Sequence, residues 1–185
     1  VPFTLDKIID SETVTATVNH WMDAMVVGLN LCPFANTVRR QGHLNIAVAQ
    51  DGSIPGCLQL LADEAHELAE RDANATSLVI LPEGFEDFDD YLDLLAMAGA
   101  LLEDLGFEGA LQLASFHPRY QFEGTDENDV SNWTNRAPYP ILHLLQESAV
   151  TKAVEAHPNA EGIPEQNIDT LEKLGMAGVL QLLRY

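Results

Sequence analysis

The sequence predicts an α/β fold: a small three-layer domain with a three-stranded, mainly parallel βαβαβ sheet and extra N- and C-terminal helices. Three observations point there. Short apolar runs alternate with helix-periodic stretches in the order strand, helix, strand, helix, strand. The helical stretches are long enough for right-handed crossovers between parallel strands. Helices on both faces would then cover the sheet.

The elements follow in order. In "SETVTATVNHWMDAMVVGLN" (11–30), Val14, Val18, Trp21, Met22, Met25 and Leu29 recur at steps of three and four behind Ser11 as a cap. Gly28 and Asn30 mark the end of that helix. A short helix is expected from Pro33 towards Arg40, closed by Gly42. "LNIAVA" (44–49) reads as the first strand. "PGCLQLLADEAHELAERDA" (55–73) reads as a helix with Leu60, Leu61, Ala65, Leu68 and Ala69 inward. "SLVILP" (77–82) is a buried-type strand, "DFDDYLDLLAMAGALLEDLGF" (87–107) a helix ending at Gly106, and "ALQLASF" (110–116) the third strand. "YPILHLLQESAVTKAVEAH" (139–157) and "IPEQNIDTLEKLGMAGVLQLL" (163–183) are expected as helices.

The chain of 185 residues is expected to form a single α/β domain over 1–185, with no internal repeat or linker. It contains a long loop, expected to be ordered, at about 117–138. Tyr120, Phe122 and Trp133 lie there, and loops of this length are usually functional or disordered. The opening "VPFTLDKIID" lacks the basic and apolar regions of a signal peptide, and no apolar run approaches membrane-spanning length. Two cysteines are too few for a disulfide scaffold, so a cytoplasmic location is expected. Twenty-nine Asp and Glu against nine Lys and Arg give a net charge of -20. Such a surface repels phosphate backbones and anionic lipid, which excludes nucleic acid and membranes as expected partners. Oligomeric state is not legible.

Parallel α/β sheets gather ligands at the carboxyl ends of their strands, where His117 and the long loop leave the third strand. Cys32, directly before Pro33, is expected at a helix start near the same rim, where a thiolate is favoured. Buried packing is the alternative for Cys32, and core packing is the expectation for Cys57. Arg119 and Arg136 are two of only six arginines, each suited to a substrate carboxylate or phosphate, or to pinning the loop. His143 and Glu147 would stand one helical turn apart. With Cys32 and His117 they make a four-ligand set acceptable to zinc or iron, although no strong metal spacing is present. His20, His43, His66 and His157 read as surface residues. "NAT" (74–76) and "NWT" (132–134) are glycosylation acceptors only in a secreted protein.

With "GLNLCPFA", "FHPRYQFEGT", "NRAPYPILHLL" and "IPEQNIDTLEKLG" taken together, the chain resembles a bacterial family catalogued as domain of unknown function 1415. The resemblance spans most of the chain and implies a bacterial, cytoplasmic, stand-alone protein. Its motifs fall on Cys32, His117, Tyr120, Gln121, Asn135, Arg136, His143 and Glu147.

The leading expectation is an enzyme acting on an anionic small molecule. Cys32 would be nucleophile, His117 base and Arg136 the clamp, with Tyr120 and Asn135 donating to an oxyanion. Arg119 and Gln121 complete the substrate set, with His143 and Glu147 among the catalytic candidates. The alternatives are a metal site and a non-catalytic interaction module.

Overall fold

The computed structural model describes residues 9–184. Most of the opening segment read for a leader, residues 1–8, lies outside the described residues. Helix α1 runs Ser11–Trp21 and continues as a π-helix over Met22–Val27. Its cap is Asp10 rather than Ser11: the carboxylate accepts from the Glu12 and Thr13 amides, which a residue already inside the helix cannot do. Then come α2 (Ala35–Arg40), β1 (Leu44–Val48), α3 (Ile54–Glu70, capped by Ser53), β2 (Thr76–Ile80) and α4 (Phe88–Asp104, capped by Asp87). The chain goes on through β3 (Leu111–Phe116), a 3-10 turn at Val130–Thr134, β4 (Ile141–Gln146), α5 (Glu147–Ala156) and α6 (Ile163–Leu182). A break at Gly175, whose φ is +66°, divides α6. No described helix is long and apolar enough to cross a membrane.

The architecture is mixed α/β, with a four-stranded sheet in the order β1-β2-β4-β3. β1 and β2 are parallel, and β4 is antiparallel to both of its neighbours, β2 and β3. The three expected strands therefore share one direction. The correction is β4, which lies between the second and third. Residues 141–146 were expected to be helical; in "ILHLLQ" a short apolar run fits either period. Two prolines decide the start, because a residue preceding proline is pushed towards extended backbone, and Ala137 and Tyr139 both do so. The gap between β2 and β3 then supplies ladder partners on both edges.

Each face of the sheet carries its own core. Cys57, Leu61, Leu68, Tyr91 and Leu94 of α3 and α4 pack on Val79, Leu142 and Leu144. Val14, Val18, Trp21 and Met25, with Leu171 and Val179 of α6, cover Leu78, Ile80 and Ile141 on the other face. Burying each such leucine or isoleucine contributes about 1.5–3 kcal/mol. Ala69, expected inward, is exposed. At the carboxyl ends of β1 and β2 the following loops meet backbone to backbone. A Cβ on Gly84 (φ +94°) would lie 2.2 Å from the Gly52 carbonyl oxygen, so only glycine permits this closure.

Candidate functional site

A cleft of about 490 Å³ opens on the sheet face that α1 covers. Met22 and Val26 of the π-helix, the 32–41 segment and Ala149, Val150 and Ala153 of α5 form its walls. Leu78, Ala114, Phe116, His143 and Leu145 form its floor. It reaches the amino-terminal ends of β1, β2 and β3 at Leu44, Thr76 and Gln112, opposite to the rim expected from parallel sheets. At the expected rim the Gly52 and Gly84 backbones approach closely and His117 is fully buried.

Cys32 lines this cleft, half-buried. It does not sit at a helix start, since α2 begins at Ala35. Cys32 belongs to the turn before it, with its N–H given to the Val26 carbonyl (3.4 Å) and its own carbonyl accepting from Ala35 (3.2 Å). Asn30, at φ +54°, reverses the chain ahead of it. Buried Asn167 of α6 then holds the Leu31 carbonyl at 2.9 Å. The π-helix sets the wall beside it through wide-turn bonds such as Gly28 N–H to the Asp23 carbonyl, 3.0 Å. Such turns occur frequently at functional sites. Arg39 clamps α2 to this wall by pairing with Asp23 and donating to Asn19 Oδ1 at 3.3 Å.

His143 reaches the cleft from β4. Strand alternation puts Leu142 and Leu144 into the opposite core and leaves His143 with Ile141 and Leu145 on the cleft side. Thr76 Oγ1 lies 2.6 Å from His143 Nε2 and donates to the Leu144 carbonyl at 2.6 Å. With that single proton committed, the Thr76 oxygen accepts from Nε2–H and Nδ1 is the unprotonated nitrogen. Nδ1 has no hydrogen-bond partner among the described residues. Enclosure of the ring, whose remaining exposure is to the cleft, pushes the imidazole down to about 4.

The other expected site residues lie elsewhere. His117 is fully buried on the α4 side of the sheet, against Phe88 and Tyr91 (ring centroids 5.1 Å from each). Its Nε2 bonds the Phe85 carbonyl at 2.9 Å and Nδ1 accepts the Arg119 amide at 3.0 Å. Burial outweighs the Phe85 bond and holds this imidazole below its ordinary value. Both ring nitrogens are therefore committed to backbone.

The remaining loop residues hold the loop. Arg136 donates to the Tyr120 carbonyl (3.0 Å) and the Glu127 carbonyl (2.7 Å). Asn135 donates to the Ser115 carbonyl (3.1 Å), and Gln121 to that of Thr125 (2.7 Å). Tyr120 packs between Phe88 and Phe122, and exposed Arg119 pairs with Asp87 at 3.5 Å. Asn132 of "NWT" is fully buried and accepts from the Phe122 amide and the Thr125 hydroxyl, far from an acceptor site for glycan. Glu147 opens α5 and borders a separate small hollow beside Phe107 and Gly109, so the expected helical His143–Glu147 pair does not form. Among the described residues no group of three or more His, Cys, Asp or Glu comes together that could hold a metal ion. Of the four expected ligands, only Cys32 and His143 line the cleft.

Thr76 and Gln112 were missed in the sequence. Thr76 had been visible only as part of "NAT", and Gln112 as a polar position in a strand. A period-two reading of 141–146 would have paired His143 with β2 and exposed Thr76 as its neighbour.

A model of the family described as "Protein of unknown function (DUF1415)" matches residues 13–181. No curated protein and no solved structure matches the chain.

Proposed function

The chain belongs to the family of proteins of unknown function DUF1415, and from that premise we propose an enzyme of thiol chemistry working in the cleft, with Cys32 as nucleophile and His143 as its base. The observation that carries this reading is that two residues far apart in sequence, one a free thiol and the other an imidazole with an unpartnered nitrogen, line one cleft. Acyl transfer or hydrolysis fits the pair best. The Cys32 sulfur bonds to an acyl carbon as its proton passes by way of His143 Nδ1 to the leaving group, so that the charged imidazole, which enclosure disfavours, does not accumulate. The bond from that carbon to the leaving group breaks, and the leaving group departs with the proton. Water then cleaves the thioester, giving the acid and restoring the thiol, with His143 again moving the proton. Thr76 is a positioning residue: it holds Nε2–H, so that Nδ1 stays free. The unpaired state of Cys32 and Cys57 supports a reducing, cytoplasmic setting.

The test is alkylation by iodoacetamide at neutral pH, read by peptide mass spectrometry. Cys32 is expected to label and Cys57, fully buried at the α3 core, to stay unmodified. His143→Gln, whose amide can still donate to Thr76, is expected to slow Cys32 labelling roughly tenfold or more. An unchanged rate in a folded variant sinks the base assignment.

A further inference from the structure

We propose that the ligand of this cleft is an uncharged, mainly apolar molecule, such as an acyl chain ending in an amide or ester, and not an anion. The inference rests on the thiol reading for where the ligand sits, and it adds the class of molecule that fits there.

Charge is the first argument. In a chain of net charge -20, the described residues lining the cleft include no carboxylate and one cation. That cation, Arg39, is neutralised by Asp23 and tied to Asn19. No described lining residue is left to compensate an anion, and an uncompensated charge in an apolar enclosure is costly. Of the arginines that suggested an anionic substrate, Arg136 bonds loop carbonyls and Arg119 pairs with Asp87, and both lie outside the lining. His143 stays neutral near pH 7, so it offers a hydrogen bond rather than a positive charge.

The polar groups on the floor give the second argument. Gln146 is spent on the Leu68 and Asp72 carbonyls. The Gln112 side-chain amide, half-buried, makes no hydrogen bond among the described residues. Register places Gln112 opposite Leu145 and Ala114 opposite His143, so Gln112 and His143 are diagonal neighbours on the cleft face. Together they present one acceptor, Nδ1, and one free amide able to donate and accept. Such a pair suits a neutral head group. The walls of Trp21, Met22, Val26 and Val150 suit an aliphatic body, and about 490 Å³ lies within the range of small-molecule sites.

Octanamide and octanoate, equal in chain length and different in charge, provide the test. Each is titrated into the whole protein at up to millimolar concentration. Thermal melting and the rate of Cys32 alkylation are followed. Octanamide is expected to raise the Tm and to slow labelling of Cys32, octanoate to do neither. Gln112→Met, which keeps the length of the side chain, is expected to weaken octanamide about tenfold. Octanoate binding as tightly as octanamide overturns the inference, and so does the binding of neither. Either result leaves the Cys32–His143 assignment to stand or fall on the His143→Gln labelling rate.

Discussion

Replacing His117 by leucine is expected to lower the unfolding free energy by roughly 2–4 kcal/mol while leaving Cys32 alkylation unchanged. The size follows from what the imidazole holds. Nε2 satisfies the Phe85 carbonyl and Nδ1 the Arg119 amide, both inside an aromatic cage of Phe88 and Tyr91. Leucine fills part of the volume and bonds neither, and each buried group left unpaired costs about 1–3 kcal/mol. The independence from Cys32 follows from the sheet. Phe116 points into the cleft, and the next residue, His117, points to the α4 side. Denaturant titration and iodoacetamide labelling of the same variant separate the two roles. A variant of unchanged stability whose Cys32 labels much more slowly would contradict the placement of His117 as a structural residue.

The second large effect is acid lability. His143 has a folded value of about 4 against 6.5 ordinarily, because enclosure disfavours its charged form. The unfolded chain therefore binds more protons between these values, and stability rises with pH across the window. The stabilisation is fully present above pH 6.5 and is lost as the pH falls towards 4. It amounts to at most about 3 kcal/mol. His117, shifted in the same direction by burial, adds to the slope. Relief of repulsion in this acidic chain opposes the trend, so the difference between wild type and His143→Gln is the quantity to measure. From pH 7 to 4 the unfolding free energy of the wild type is expected to fall more steeply than that of His143→Gln. Parallel curves would show that His143 is not held neutral.

Much of the fold was legible. The strands at 44–48, 76–80 and 111–116 and the helices between them follow from uninterrupted apolar runs and clear helical spacing. What failed was a six-residue segment whose pattern fits both periods, and whose choice is made by distant β2 and β3. That one misassignment moved the site. It put His143 on a helix with Glu147, hid Thr76, and made His117 the expected base for Cys32, with His143 only a further candidate. The carboxyl-end rule for parallel sheets then drew the candidate site to the opposite rim, where the Gly52 and Gly84 backbones meet. Cys32 was recognisable as a candidate from residue type and position, but its neighbours depend on strand order and were not. The arginines show the limit of composition: scarce cations in an acidic chain suggested a ligand, yet Arg136 bonds carbonyls of the 117–138 loop and Arg119 pairs with Asp87.

The proposed thiol chemistry needs Cys32 and His143 in one site, with His117 outside it. Nitrogen NMR of protein labelled with 15N-histidine, before and after carbamidomethylation of Cys32, tests this most directly. At neutral pH His143 is expected to be neutral with Nδ1 unprotonated, and its resonances are expected to shift on modification with those of His117 unmoved. A His143 signal indifferent to the group on Cys32, or a shift at His117 in its place, would contradict it.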